Sequence, residues 1–181
     1  MSGAARYPDG TELRMAVEMR AAGKRLEGTA VVYNVAAQLP GFEETIAPGV
    51  FRETLQSGAD ILALCDHDNS RLLGRTKSGT LRLRDDAVGL HFQLDLPETS
   101  LGRDILALAE RRDLGGMSFS FRMREEAWSS DGKRRRVIRA DLYEISCVAA
   151  HPAYPSTIVS ARARGFAAPA SALRRRRLET L

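Results

Sequence analysis

The stretch GGMSFSFRMR, residues 115 to 124, constrains the fold of this chain more than any other. Its odd positions Met117, Phe119, Phe121 and Met123 are large and apolar, and its even positions Ser118, Ser120, Arg122 and Arg124 are polar. Period-two alternation predicts a strand with one buried face. The two glycines ahead of it put Ser118 at the head of that strand. A small hydroxyl there can be an exposed nucleophile or simply a solvated residue of a sheet face.

The same periodicity recurs. Residues 12–20 alternate Leu13, Met15, Val17 and Met19 with Glu12, Arg14, Glu18 and Arg20, which predicts one strand, and LEGTAVVY (26–33) reads as its partner across a turn at Ala22 and Gly23. ILALC (61–65) is a continuous apolar run, as in a strand buried on both sides, and it ends in the polar loop Asp66, His67, Asp68, Asn69. LLGRT, TLRLR and GLHFQLDL give three further strands, and a hairpin turn at 128–132 leads to the returning strand VIRADLYEISCV. Pro48 and Gly58 bracket a helix over PGVFRETLQSG. A second helix spans 100–112, capped by Ser100, with Leu101, Ile105, Leu108 and the stem of Arg112 on one face. Many short strands with few helices predict a mainly β fold with flanking helices, an α+β class, built on an antiparallel, barrel-like core.

A chain of 181 residues fits one domain with a core large enough to stand without disulfides. The expected domain covers 1–160, with a barrel core over about 12–160, followed by a basic, flexible or weakly helical tail over 161–181. No apolar run reaches the roughly 20 residues of a membrane helix. The N-terminal MSGAARYPDGTELR lacks the apolar centre of a secretory signal, so no membrane association is expected. Cys65 and Cys147 form no spaced framework and read as buried free thiols in a reducing compartment. The net charge of +4 is a property of the tail: without Arg174, Arg175, Arg176 and Arg177, the 27 basic residues fall to parity with the 23 acidic ones. No aromatic residues interleave with that run, so nucleic acid is not an expected partner.

Three polar groups stand out by position. His67 follows an apolar strand directly, Ser118 begins another, and Glu144 lies in a third, on a face reading Ile138, Ala140, Leu142, Glu144, Ser146, Val148. A carboxylate on a mostly apolar face costs several kcal/mol in principle unless paired, and histidine is a natural partner. Serine, histidine and a carboxylate can form a nucleophilic relay, in which the imidazole takes the hydroxyl proton and the acid fixes its tautomer. A metal site drawn from Cys65, Asp66, His67, Asp68 and His91 lacks CxxC or HExxH spacing, and no metal or other cofactor is expected. Cys147 stands three residues from Glu144, on the opposite side of an ordinary strand, which argues against a thiol relay. Backbone amides at Gly115 and Gly116, or Arg122, are candidates to stabilise an oxyanion. His91 reads as a strand residue facing solvent or a polar neighbour.

The succession LEGTAVVYN, ETIAPGVFRETL, LALCDHDNSRLLGRT, GTLRL, GLHFQLDLP, GGMSFSFR and LYEISCVAAHPAYPST, over about residues 26–160, resembles the prohead maturation protease family of tailed bacteriophages. That family is related to the herpesvirus assemblin proteases. The combination of PGVF, the DHD histidine, the MSF serine, the EIS glutamate and PAYP carries the resemblance. It implies an antiparallel assemblin-like β-barrel and a serine endopeptidase with His67 as base, Ser118 as nucleophile and Glu144 as third member. In the assemblin relatives a second histidine takes that third place. Ser120 stands where the family usually has glycine, and His151 lies past the strand that carries Glu144 and reads as a loop residue. The resemblance further implies cleavage of the scaffold, or of the scaffolding segment of the major capsid protein, inside the immature capsid in the host bacterial cytoplasm. Self-cleavage, with loss of the C-terminal tail, and a homodimer extend the same expectation. The alternative is a non-catalytic capsid-assembly scaffolding module that keeps the fold.

Overall fold

The computed structural model describes residues 10–16, 18–22, 24–148 and 175–178. In chain order the elements are β1 (Thr11–Ala16), β2 (Glu18–Ala22), β3 (Arg25–Val32), β4 (Ala37–Leu39), β5 (Phe42–Ile46), α1 (Arg52–Gln56), β6 (Leu62–Cys65), β7 (Asp68–Arg75), β8 (Leu81–Asp85), β9 (Gly89–Asp95), α2 (Ser100–Glu110), β10 (Gly116–Ser129), β11 (Arg134–Val148) and β12 (Arg175–Leu178). The mainly β reading with two short helices holds.

The barrel does not. The described strands form two sheets, one ordered β1-β10-β11-β5-β4 with β6, β7 and β12 attached, the other ordered β2-β3-β9-β8, and no closed barrel joins them. The antiparallel expectation also needs correction, because β5 and β6 both lie parallel to β11, and β12 lies parallel to β10. The reason is the length of β11. Its first half pairs with β5 at Arg134–Val137 and its second half with β6 at Glu144–Cys147, so one edge carries two strands. Residues 47–54 fill the gap between them. Ala47 N–H donates to Val137 O (2.9 Å), Ala140 N–H to Val50 O (3.0 Å) and Leu142 N–H to Thr54 Oγ1 (3.2 Å), so β11 keeps hydrogen-bond partners across the gap. The second sheet packs on this assembly through side chains rather than ladder bonds. Leu26, Leu90, Phe92 and Leu94 share one core with Met117, Phe119, Phe121 and Ile145, and Phe51 sets its ring edge-on to Phe119 and Phe121 at 6.1 and 6.2 Å.

Several boundaries differ from the sequence reading. The alternation over 12–20 is divided between two strands in different sheets, β1 on β10 and β2 on β3. The first helix is only Arg52–Gln56, with Pro48–Phe51 in turns ahead of it. In α2 the cap is Thr99, whose hydroxyl accepts from Gly102 N–H at 3.2 Å, and Ile105 is the buried anchor. Arg112 lies beyond the helix end at φ 63°, exposed rather than on the packed face. Gly102 is required where it stands, because a Cβ there would fall 1.9 Å from Pro97 O. In the tail expected to be flexible, Arg175–Leu178 forms β12 on Glu126–Ser129, and the remaining residues from 161 onward lie outside those described.

The bulge that matters most is at Tyr143. Ser118 pairs with Ser146 and Ser120 with Glu144, but Phe121 pairs with Leu142, so the register skips Tyr143. A residue inserted this way re-aims the side chains beyond it. Ala140 and Leu142 join the core with Phe121 and Met123, whereas past the bulge Ile145 and Cys147 take over that role. Glu144 and Ser146 turn to the other face with Ser118 and Ser120. The uniform even-numbered face expected for this strand is therefore broken at the point where the carboxylate is needed.

Candidate active site

His67 is delivered by a tight hairpin rather than a loose polar loop. Cys65 pairs with Asp68 across β6 and β7, which leaves Asp66 and His67 as the two central residues, at φ 52° and 58°. Two positive φ values in a two-residue connection are the signature of type I′ turns, where Asn-Gly is usual. Neither residue here is glycine, so the conformation costs of order 1–3 kcal/mol per residue and must be held from outside. Asp66 N–H donates to Cys147 O (2.8 Å) and Arg71 Nη1 to Asp66 Oδ2 (2.8 Å). His67 N–H donates to Ser146 Oγ (2.8 Å), and Ser146 is the register partner of Ser118.

The imidazole then reaches both neighbours. His67 Nδ1 lies 2.5 Å from Glu144 Oε1, and His67 Nε2 lies 2.7 Å from Ser118 Oγ. An ionised carboxylate only accepts, so Nδ1 carries the proton and Nε2 accepts from the serine hydroxyl. The three groups are enclosed: Ser118 is 0 % exposed, Glu144 1 % and His67 7 %. A buried carboxylate is tolerated when paired in this way, and low dielectric strengthens each bond of the chain. Serine, imidazole and carboxylate in line are what acyl transfer by a hydroxyl nucleophile requires.

The other candidates fall elsewhere. Ser120 shares the face and is 0 % exposed, but its hydroxyl makes no hydrogen bond among the described residues. His91 sits on β9 in the other sheet, 3.1 Å from Thr29 Oγ1 and 3.0 Å from Asp86 Oδ2. His151 lies outside the described residues. Gly115 N–H is already committed to Val148 O (2.8 Å), so it does not serve as an oxyanion donor in this arrangement. Arg122 is exposed, four residues along β10 from Ser118. Both cysteines are free and buried. Burial, aided by the Asp66 charge, pushes the Cys65 thiol up to about 12, and burial raises that of Cys147 as well. Cys147 Sγ contacts Met117 Sδ at 3.7 Å on the core side, away from His67. Among the described residues no group of three ligand-type side chains could hold a metal ion. Ser146 was not singled out by sequence reasoning, although its place two residues beyond Glu144 put it on the same face.

The model of the caudovirus prohead serine protease family matches residues 12–171 of this sequence. The chain belongs to that family. The match runs through both sheets and takes in His67, Ser118 and Glu144. No curated protein and no solved structure gives a significant match. Membership makes the chain a serine protease of capsid maturation, acting within the phage prohead and in contact with capsid or scaffold proteins. No helix among the described residues is long and apolar enough to cross a membrane.

Proposed function

We propose that Ser118, His67 and Glu144 are the nucleophile, general base and orienting acid of this prohead protease, and that its substrate is the scaffold or the scaffolding segment of the major capsid protein. The observation that carries the reading is the unbroken pair of hydrogen bonds from Glu144 through the imidazole to Ser118 Oγ, at 2.5 and 2.7 Å. Ser118 Oγ attacks the scissile carbonyl carbon while its proton passes to His67 Nε2. Glu144 keeps Nδ1–H in place and steadies the imidazolium. Collapse of the tetrahedral species breaks the C–N bond, and His67 returns the proton to the leaving amine. Water, activated by the same imidazole, then frees Ser118 from the acyl group. Self-cleavage that removes the basic C-terminal segment belongs to the same reading.

The test is co-expression with a major capsid protein that retains its scaffolding segment, followed by mass spectrometry of both chains. A trimmed capsid subunit is expected, together with a shortened protease. Ser118→Ala should leave both chains intact, a loss of the order of 10⁴- to 10⁶-fold in cleavage. Trimming that persists in that variant would exclude Ser118. Particles that assemble normally without trimming in either case would favour the non-catalytic scaffolding module instead.

A further inference from the structure

β10 runs regularly past the nucleophile. Its pairing with β1 shows no register shift from Met117 to Arg122, and Phe119, Phe121 and Met123 belong to the core. Ser118, Ser120 and Arg122 therefore share the opposite face. Exposure changes abruptly along that face. Ser118 and Ser120 are fully buried, and Arg122 is the first exposed side chain beyond them. Four residues of extended chain separate Arg122 from Ser118, about 13 Å at about 3.3 Å per residue. An oxyanion donor must stand far closer to the reacting carbonyl. The distance suits a contact with a more remote part of a peptide substrate.

The acids around Arg122 are engaged by other groups. Its register partner on β11 is Asp141, the carboxylate placed to pair with it across the strands. Asp141 Oδ2 instead accepts from Arg124 Nε at 2.6 Å and also meets Arg124 Nη2. Glu53 Oε1 lies 3.1 Å and Glu125 Oε2 3.8 Å from the guanidinium of Arg139. Tyr143, within electrostatic reach of Arg124, brings a phenol rather than a carboxylate. Among the described residues these acids engage Arg124 and Arg139, and none engages Arg122. An exposed guanidinium at the rim of an enclosed nucleophile, its cross-strand carboxylate taken by a neighbour, fits a carboxylate arriving with the substrate.

We propose that Arg122 is a specificity-determining residue of the protease, selecting peptides that carry Asp or Glu about four residues from the scissile bond, on one side of it. A substrate extended along β10 covers the same 13 Å or so in four residues, which brings that carboxylate to the guanidinium while the scissile carbonyl lies at Ser118. This selectivity rests on Ser118 being the nucleophile.

The experiment digests a randomised mixture of synthetic peptides with the full-length chain and reads the cut sites by mass spectrometry, in parallel with Ser118→Ala, Arg122→Gln and Arg122→Glu. The unsubstituted chain should cut where Asp or Glu stands at one position about four residues from the bond. For a peptide with Glu there, Arg122→Gln should raise KM about fivefold at unchanged kcat, the upper range for an exposed ion pair. Arg122→Glu should turn the preference at that position to Lys and Arg, a reversal that a merely structural role does not produce. Raised salt should weaken the preference of the unsubstituted chain. Cutting that depends on Ser118 but shows no acidic preference, or keeps that preference in Arg122→Glu, would overturn this subsite and leave the catalytic assignment standing. Cutting that survives Ser118→Ala, or no cutting by any of the chains, would overturn the catalytic assignment and this subsite with it.

Discussion

The two ends of the β10–β11 ladder each bury a set of polar side chains, and they do so in different ways. At one end Ser118, His67 and Glu144 form a single file of hydrogen bonds, and the imidazole is carried by two consecutive residues at positive φ. At the other end Arg135 meets Glu12, Glu44 and Glu126 from strands β1, β5 and β10, beside a register shift between Glu125 and Glu126. The first arrangement spends backbone strain to aim one group at another. The second gathers charged side chains from four strands, none of them at positive φ. Buried polarity alone therefore does not mark a reactive site. An ordered proton path held by a strained turn does so far better.

The largest test of this contrast is at the first end. His67→Ala should cost about as much cleavage as Ser118→Ala, and the double variant should cost little more, because members of a relay act as one unit. Multiplicative losses would mean that the two residues work separately, and the relay reading would fail. At the other end the expected currency is stability. Arg135→Met leaves Glu44 and Glu126 buried beside an apolar side chain, a loss of about 3–5 kcal/mol by the usual cost of breaking a buried ion pair. The midpoint of chemical unfolding measures it. A variant that unfolds normally but no longer cleaves would break the contrast by placing Arg135 in the chemistry.

A smaller effect separates aiming from bonding within the first end. Ser146 holds His67 N–H and touches neither the imidazole nitrogens nor, in this reading, the substrate. Ser146→Ala should let the hairpin relax and the ring drift, lowering kcat by about 10- to 100-fold, or roughly 1.4–2.8 kcal/mol, at unchanged KM. A rise in KM at constant kcat would reassign Ser146 to substrate binding. Equal kinetics in the two proteins would show that Cys147 O and Arg71 suffice to hold the turn.

How much of this was legible in the sequence depends on whether a local pattern survived contact with tertiary structure. The strand over 117–124 was readable because period two persists along it, and its returning partner was readable as a strand though not in the face it turns. The division of 12–20 between two sheets was not, because the alternation continues across the crossing. The bulge at Tyr143 left no trace in composition, yet it decides which face Glu144 takes. The Asp66-His67 hairpin was hidden for a related reason: its positive φ values are imposed by tertiary hydrogen bonds, not by the Gly or Asn that signals such turns. Residue chemistry and family likeness pointed to His67, Ser118 and Glu144, and the fold brings those side chains together. The closed barrel, expected from the strand pattern as well as from likeness, did not follow, because closure depends on edges meeting and β11 gives one edge to two parallel strands.

Ser120 provides the finest discrimination. It lies two residues from Ser118, opposite Glu144, and its hydroxyl is enclosed with no hydrogen-bond partner among the described residues. An unmade bond at a buried hydroxyl costs about 1–3 kcal/mol, so removing that oxygen relieves a penalty. Ser120→Ala should therefore leave stability unchanged or raise it by about 1 kcal/mol, and cleavage should stay within about threefold of the unsubstituted protein. The opposite result, a loss on the scale expected for Ser118→Ala, would move the nucleophile two residues along the strand. It would also show that an orphaned hydroxyl, and not the one already bonded to the imidazole, is the group that attacks.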